Sequence, residues 1–417
     1  MFVGVCMEIG KEIIVKVERF NNEGDGVCLY NNFVIFVKAA LINEEIKIRI
    51  IDKKKNYAVG EIVEILIPSE SRKIPLCPYY NTCGGCGLMH MDQNMQLELK
   101  KEKIKSIFKK ICKIDVDIKE VCAYNNLYYR NKITLRVEGN KIGYYKEKTN
   151  ELVDITECLL CDKRINEILH EIREFINYYS SHKISEVMIR TAKDETMVYI
   201  DNINKRWLNK FIEKLSNVNS IYVGDDLVYG IDSINQKING LVFDMSPKSF
   251  FQVNLETASK LYEYALKDVE NQNITVDLYS GTGTIAISLA KKSRRVIAIE
   301  SNKNAVKDAK NNMLLNGIDN IEFKGGKVED LIKQLKDLNI DTLVLDPPRT
   351  GSDKLSLKML LKIKPKNIVY ISCNPVTLAK DYNILKEEYQ IKEIKGFDMF
   401  PNTHHVETVM ILEKKDV

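Results

Sequence analysis

Three features of the 417-residue sequence predict a multidomain α/β protein. Short alternating β-runs with a glycine-containing turn fill the first part: Glu12–Val17, Gly26–Tyr30, Asn32–Val37, Glu45–Asp52 and Tyr57–Ile67, punctuated by residues 21–26. Several short strands joined by such turns read as a small, OB-like β-barrel. A cysteine-rich segment then opens a region of mixed helices and strands, and from Ile274 onward strand and helix alternate strictly. That alternation specifies a doubly wound, mostly parallel sheet. The resulting division is a barrel over residues 5–68, a central α+β domain carrying a metal cluster over 69–240, and an α/β domain over 241–417.

Lys+Arg 62 against Asp+Glu 58 leaves a net charge of only +4, so any nucleic-acid surface must come from local clustering. Met1–Glu8 has no basic flank and too short an apolar run for a leader. No apolar stretch approaches the roughly 20 residues of a membrane span. A cytoplasmic protein without a membrane contact or an obligate protein partner is therefore expected. Ten cysteines in a reducing compartment do not suggest a disulfide framework; clustered ones point to metal and isolated ones to a core or to catalysis.

Along the barrel, Lys47, Arg49, Lys53, Lys54 and Lys55 form a basic edge that suits RNA or is simply a solvated face. Cys77, Cys83 and Cys86 follow within ten residues, with Gly84 and Gly85 letting the chain wrap closely. Two chemistries fit. Cys83-x2-Cys86 with Cys158-x2-Cys161 would make a four-thiolate zinc site, which leaves Cys77 idle; a [4Fe-4S] cluster would use all three local thiols and one distant one. His90 to Lys113 reads as an amphipathic helix with Leu97, Ile104, Ile107, Phe108 and Ile111 on its apolar stripe. Tyr128-Tyr129-Arg130-Asn131-Lys132 interleaves aromatic and cationic groups as an RNA-facing surface does, or as ordinary strand residues do. A helix over Ile165–Tyr179 and a hairpin of Val187–Thr191 with Thr196–Asp201 complete the middle region.

In the last region the predicted elements run Phe243–Val253 (β-like), Leu255–Val269 (helix), then alternating strands and helices to an antiparallel pair, Gln390–Met399 with Thr408–Glu413. Val276-Asp277-Leu278-Tyr279-Ser280-Gly281-Thr282-Gly283 is a strand running into a glycine turn and a helix start, with Glu300 ending the next strand. An acidic residue there holds an adenosine ribose. Gly281, Gly283 and Ala286 also satisfy a loose dinucleotide fingerprint, which keeps an NAD-linked enzyme in view. Two later strand ends decide against it: Asp346-Pro347-Pro348-Arg349 and Ser372-Cys373-Asn374-Pro375 have no task in hydride transfer. They suit methyl transfer from S-adenosylmethionine, with a thiol, a carboxylate and an arginine brought to one crevice.

Taken together, the barrel, Cys77/Cys83/Cys86, His90 with Gln96-Leu97, Tyr129-Arg130-Asn131-Lys132, Phe250-Phe251-Gln252-Val253-Asn254, Asp277-Leu278-Tyr279, Asp346-Pro347-Pro348-Arg349, Ser372-Cys373-Asn374-Pro375 and His405-Val406-Glu407 resemble the RNA uracil-C5 methyltransferases. The resemblance is to the ribosomal-RNA branch that has a TRAM barrel, an iron-sulfur cluster and a Rossmann-like S-adenosylmethionine methyltransferase domain. It implies cluster ligands Cys77, Cys83, Cys86 and Cys158, and cofactor contacts from Gln252, Tyr279, Glu300 and Asp346. Cys373 matches the family's nucleophile and Glu407 its base; the implied substrate is a uridine of 23S ribosomal RNA, with transfer RNA as the alternative. Cys161 is absent from the family pattern and competes with Cys158 as fourth ligand. C5 of uracil is too weak a nucleophile to take a methyl group unaided, so a thiolate adding to C6 and a base removing the C5 proton are the residue types the reaction needs. The site is expected to favour the Cys373 thiolate or to deprotonate it during addition. RNA cytosine-C5 enzymes use a second cysteine in the loop corresponding to Asp346-Pro347-Pro348, and none is present. An iron-sulfur or NAD-linked redox enzyme, and an RNA-binding barrel with an inactive catalytic domain, are the competing classes.

Overall fold

A computed structural model describes residues 7–215 and 217–415. Most of Met1–Glu8, including the assigned barrel start at residue 5, lies outside them, as do Ser216 and residues 416–417. Strands β1 (Glu12–Phe20), β2 (Gly26–Tyr30), β3 (Phe33–Val37), β4 (Glu45–Lys53) and β5 (Tyr57–Ile67) close a barrel in the order β1-β2-β3-β5-β4. Alternate residues Ile13, Val15, Val17, Ile46, Ile48 and Ile50 fill its interior, as the two-residue period of a strand requires. On the outside, Lys47 and Arg49 pair with Glu12, and Lys54 with Asp52, so much of the expected basic edge is neutralised in place.

Helix α1 (Gln93–Cys112) starts three residues later than expected because Asp92 caps it, accepting from the Met95 amide at 2.8 Å. Its apolar stripe, Ile104, Ile107 and Phe108, packs into the core beneath the C-terminal sheet. Strand β6 (Val121–Cys122) adds to the edge of that same sheet. A seven-stranded sheet follows, built from β7 (Lys132–Glu138), β8 (Lys141–Tyr145), β9 (Leu152–Asp154), β10 (Glu186–Thr191), β11 (Thr196–Ile200), β12 (Ser220–Val223) and β13 (Asp226–Gly230) in the order β13-β12-β11-β10-β7-β8-β9. Helices α2 (Lys163–Tyr178) and α3 (Leu208–Lys214) cover one face. Hairpin β14 (Ile234–Ile238) with β15 (Leu241–Met245) spans residue 240 and leads into the last region.

That region consists of α4 (Leu255–Ala265), β16 (Gln272–Leu278), α5 (Thr284–Ala290), β17 (Ser293–Glu300), α6 (Lys303–Leu315), β18 (Ile321–Gly325), α7 (Val328–Leu331), β19 (Thr342–Leu345), α8 (Lys354–Ile363), β20 (Asn367–Ser372), α9 (Pro375–Leu385), β21 (Tyr389–Phe397) and β22 (Glu407–Lys414). The sheet order is β18-β17-β16-β19-β20-β22-β21-β6, with β22 antiparallel to both neighbours. One face carries Val276, Leu278, Leu343, Leu345 and Tyr370 into a core with α1, α8 and α9; the other carries Val296, Ala298, Val344 and Val369 into a core with α4 and α5. Burial on both faces is why these strands read as continuous apolar runs. The β-like reading of Phe243–Val253 holds only to Met245. Beyond it Pro247 lacks a ladder donor, and the fully buried Arg190 takes the Ser246 and Ser249 carbonyls at 2.8 and 2.6 Å. The helix expected over Asp330–Leu338 is a single turn of α7 followed by a 3-10 turn, Ile332–Leu335. Among the described residues no helix is long and apolar enough to cross a membrane.

Candidate active site

Strand register gathers the sequence-predicted residues at the carboxyl edge of the eight-stranded sheet. Leu278 pairs with Ile299 and with Leu345, so Tyr279, Glu300 and Asp346 stand side by side at consecutive strand ends. Ser372 pairs with Thr408 in the antiparallel ladder. One step further along, Cys373 therefore faces Glu407, the first residue of β22. Directly opposed residues of such a pair hold their Cβ atoms roughly 4.5–5.5 Å apart.

The turn after β16 takes a conformation few side chains accept. Tyr279 has φ 66°, Gly281 54° and Gly283 87°. A Cβ on Gly283 would also sit 3.1 Å from the Ala309 Cβ, so glycine serves both the turn and the approach of α6. Glu300 braces the turn: its carboxylate accepts from the Gly281 amide at 2.9 Å and the Asn302 amide at 2.7 Å. The Tyr279 hydroxyl pairs with the Ser352 hydroxyl at 2.9 Å. Gln252 reaches the site from the segment after β15, its side chain hydrogen-bonded to the buried Tyr262. Asp346 is half-buried, and desolvation pushes its carboxyl up to about 7. Asp277, one strand over, is wholly buried and raised as well, by burial and then by Asp346, with the Ala286 amide opposing. Two desolvated carboxyls side by side favour a positively charged neighbour. Asp277 has no role assigned by the motif Asp277-Leu278-Tyr279; its place one residue before the end of β16 is the signal that marks it.

Burial, then the adjacent Glu407, raises the Cys373 thiol to about 11, with Arg349 opposing. Of the two expectations for this thiol, this environment favours loss of the proton during addition over a resting thiolate. Glu407 is raised to about 8 by burial and by Asp346, again against Arg349. The Arg349 carbonyl accepts from the Asn374 side chain at 3.1 Å, which ties this arginine to the cap of α9. His405 is drawn down to about 4 by burial, then by His404 and Arg349. Two carboxyls in this group, Asp346 at about 7 and Glu407 at about 8, titrate near neutrality, and it is Glu407 that stands next in register to Cys373.

Away from this edge, Cys77, Cys83, Cys86 and Cys158 line one cavity of about 80 Å³, together with Met89, Arg130 and Tyr144. Cys161 lies behind them, wholly buried, and donates its S–H toward Cys158, which draws the Cys158 thiol down to about 7. Burial raises Cys77 and Cys83, and lifts Cys86 to about 12. Among the described residues no group of three or more His, Cys, Asp or Glu side chains is arranged to hold a metal ion. Neither the four-thiolate zinc site nor the iron-sulfur cluster is shown by this arrangement.

The segment Tyr128–Lys132 behaves differently from an RNA-facing strip. Tyr129 is half-buried and its hydroxyl donates to the Pro401 carbonyl at 3.2 Å. Tyr128 and Arg130 amides donate to Leu159 and Leu160 beside the thiol cavity, while the Asn131 amide and side chain take the Val253 and Gln252 carbonyls at 3.0 and 3.3 Å. The segment is a strap between the cysteine loop and the Gln252 segment. Only Tyr128 is well exposed, with Lys163 over its ring.

Comparison with known proteins agrees with this architecture. The family described as tRNA (Uracil-5-)-methyltransferase matches residues 92–415, and the TRAM domain matches residues 7–63. An RNA methyltransferase of Clostridium tetani (strain Massachusetts / E88), described as uncharacterized, is 35% identical over 436 residues, covering 95% of each chain. A relative of the same description from Staphylococcus aureus (strain MSSA476) is 34% identical over 96% of this chain and 97% of its own. The crystal structure of Pyrococcus abyssi tRNA (uracil-54, C5)-methyltransferase in complex with S-adenosyl-L-homocysteine superposes with a TM-score of 0.78 at 30% identity, covering 95% of this chain and 99% of that one. With its TRAM barrel and its sheet-edge site, the chain belongs to the RNA uracil-5-methyltransferase family.

Proposed function

We propose that this protein methylates C5 of a uridine in RNA, with Cys373 as nucleophile and Glu407 as base. The observation that supports this most is the register of Ser372 with Thr408, which sets thiol and carboxylate opposite one another beside Asp346. The target base leaves its stack to enter the crevice, at a cost of a few kcal/mol that binding of the surrounding RNA offsets. Cys373 then bonds to C6 and gives its proton to solvent, to which it is partly open. Negative charge develops toward C5 and the uracil O4, with Arg349 close by. Gln252, Tyr279, Glu300 and Asp346 would hold S-adenosylmethionine, which would give its methyl group to C5 and leave as S-adenosylhomocysteine. Glu407 removes the C5 proton, the C5–C6 double bond re-forms, and the Cys373 thiolate is expelled.

The donor chemistry at Cys77, Cys83, Cys86 and Cys158 fits a [4Fe-4S] cluster, whose metal charge would hold all four as thiolates. In this reading it is structural: its loops are hydrogen-bonded to the cofactor segment through Tyr128–Lys132, and no redox step is needed. Protein purified without oxygen should be brown and carry iron with acid-labile sulfide; stoichiometric zinc without iron would sink the cluster. Cys158→Ser should lose the iron, whereas Cys161→Ser should retain it with altered absorption.

Ribosomal RNA is the target we put forward, and the likeness to the Pyrococcus abyssi enzyme favours transfer RNA as the second reading. Mass-spectrometric mapping of 5-methyluridine in a deletion strain tests both. Loss from 23S RNA is expected; loss from transfer RNA alone would support the second reading, and no loss from either would remove the function proposed.

A further inference from the structure

Residues 398–406, which deliver Glu407 to the site, are held along their length by groups from far earlier in the chain. Asn254 takes the Met399 carbonyl at 3.3 Å and Tyr129 that of Pro401. The Gly87 and Leu88 amides both reach the Asn402 carbonyl at 3.0 Å. Helix α1 contributes one face, Gln96, Lys100 and Lys103, spaced so that they lie above one another. Lys103 donates to the His404 carbonyl at 2.9 Å. Lys100 is fully buried against Asp398 at 2.5 Å and also approaches the Phe400 carbonyl at 3.4 Å. Gln96 and Asn402 form a reciprocal pair, 3.2 Å from Nε2 to Oδ1 and 2.9 Å from the Asn402 amide to Oε1. Both are buried, and Asn402 has φ 65°, a left-handed conformation that asparagine tolerates. Gln96 also donates to the Leu88 and Met91 carbonyls, so it joins the segment after Cys86 to this loop.

We propose that Gln96, backed by the Lys100–Asp398 pair, is a positioning residue for Glu407. This inference rests on the reading of Glu407 as the base. A base works only within hydrogen-bond reach of its proton, and a displacement of about 1 Å can cost roughly 100-fold. The clamp touches neither Cys373 nor the cofactor residues, so loosening it selectively slows the step after methyl transfer.

The test compares two rates on one RNA substrate: transfer of a radiolabelled methyl group into the protein–RNA complex, and release of free methylated RNA. For Gln96→Ala we expect methyl transfer within about 3-fold of the parent and release slower by roughly 10- to 100-fold, with a denaturation-stable adduct accumulating. Lys100→Met combined with Asp398→Leu replaces the buried pair by apolar groups and serves where Gln96→Ala fails to fold. Equal slowing of both rates, or of neither, would overturn the proposal. Glu407→Gln is measured alongside. If it releases product normally, the base reading fails and takes this inference with it; if it stalls while Gln96→Ala does not, this inference alone is removed.

Discussion

Cys373→Ala should bring methylation to below about 10⁻³ of the parent rate, the scale on which removal of a covalent nucleophile acts. Its thiol is pushed up to about 11 by burial and Glu407, so the substitution removes a neutral group and cofactor binding should survive. Binding of S-adenosylhomocysteine, measured calorimetrically, should stay within about 3-fold, since Gln252, Tyr279, Glu300 and Asp346 are untouched. RNA carrying 5-fluorouridine at the target supplies the complementary result. Fluorine at C5 cannot leave as a proton, so the parent enzyme should halt after methyl transfer as a gel-stable adduct that Cys373→Ala cannot form. An adduct mapped by peptide mass spectrometry to another cysteine would overturn the assignment.

The second large effect belongs to Glu407→Gln, which should still form the C6 bond and transfer the methyl group but stall before proton removal. Covalent protein–RNA complex should then accumulate on unmodified RNA, while turnover falls by roughly 10²- to 10⁴-fold, the usual contribution of a general base. The parent's pH profile follows from the same group. Burial and Asp346 raise Glu407 to about 8, so the active carboxylate is the minority form at neutral pH. Where proton removal limits turnover, the rate should climb with pH, up to 10-fold per unit, and level off above about 8. Stability runs the other way. Between the ordinary value of 4.5 and about 8 the folded protein binds this proton and the unfolded chain does not, so stability falls as pH rises through that window. Thermal unfolding of Glu407→Gln should lack that component; an unchanged pH dependence of both rate and melting would point to another base.

Much of the catalytic domain was legible because its central strands are buried on both faces, and buried strands announce themselves as apolar runs such as Leu343–Leu345 followed by polar ends. Cys373 and Glu407 were legible as motifs. Their opposition was not, because it depends on which strand enters between β20 and β21, and periodicity carries no register. Strand β6, two residues long, lies below what any pattern can signal. Tyr129 and Asn131 read as surface groups because they are polar, yet they are spent on the carbonyls of Pro401, Gln252 and Val253. Lys100 is wholly buried against a residue 298 positions away, a pairing that no local pattern signals.

The place of β22 in its sheet has a consequence for the order in which the enzyme can mature. Every other strand of that sheet precedes it in sequence, yet it enters between β20 and β21 rather than at an edge. While synthesis proceeds, β20 and β21 are available before the strand that joins them, leaving two ladders open to wrong partners. Domains tend to fold as the chain emerges, amino-terminal parts first, so the barrel can close long before this slot is filled. A nascent chain therefore acquires its TRAM barrel early and Glu407 only with β22, and a chain interrupted in between cannot complete the crevice.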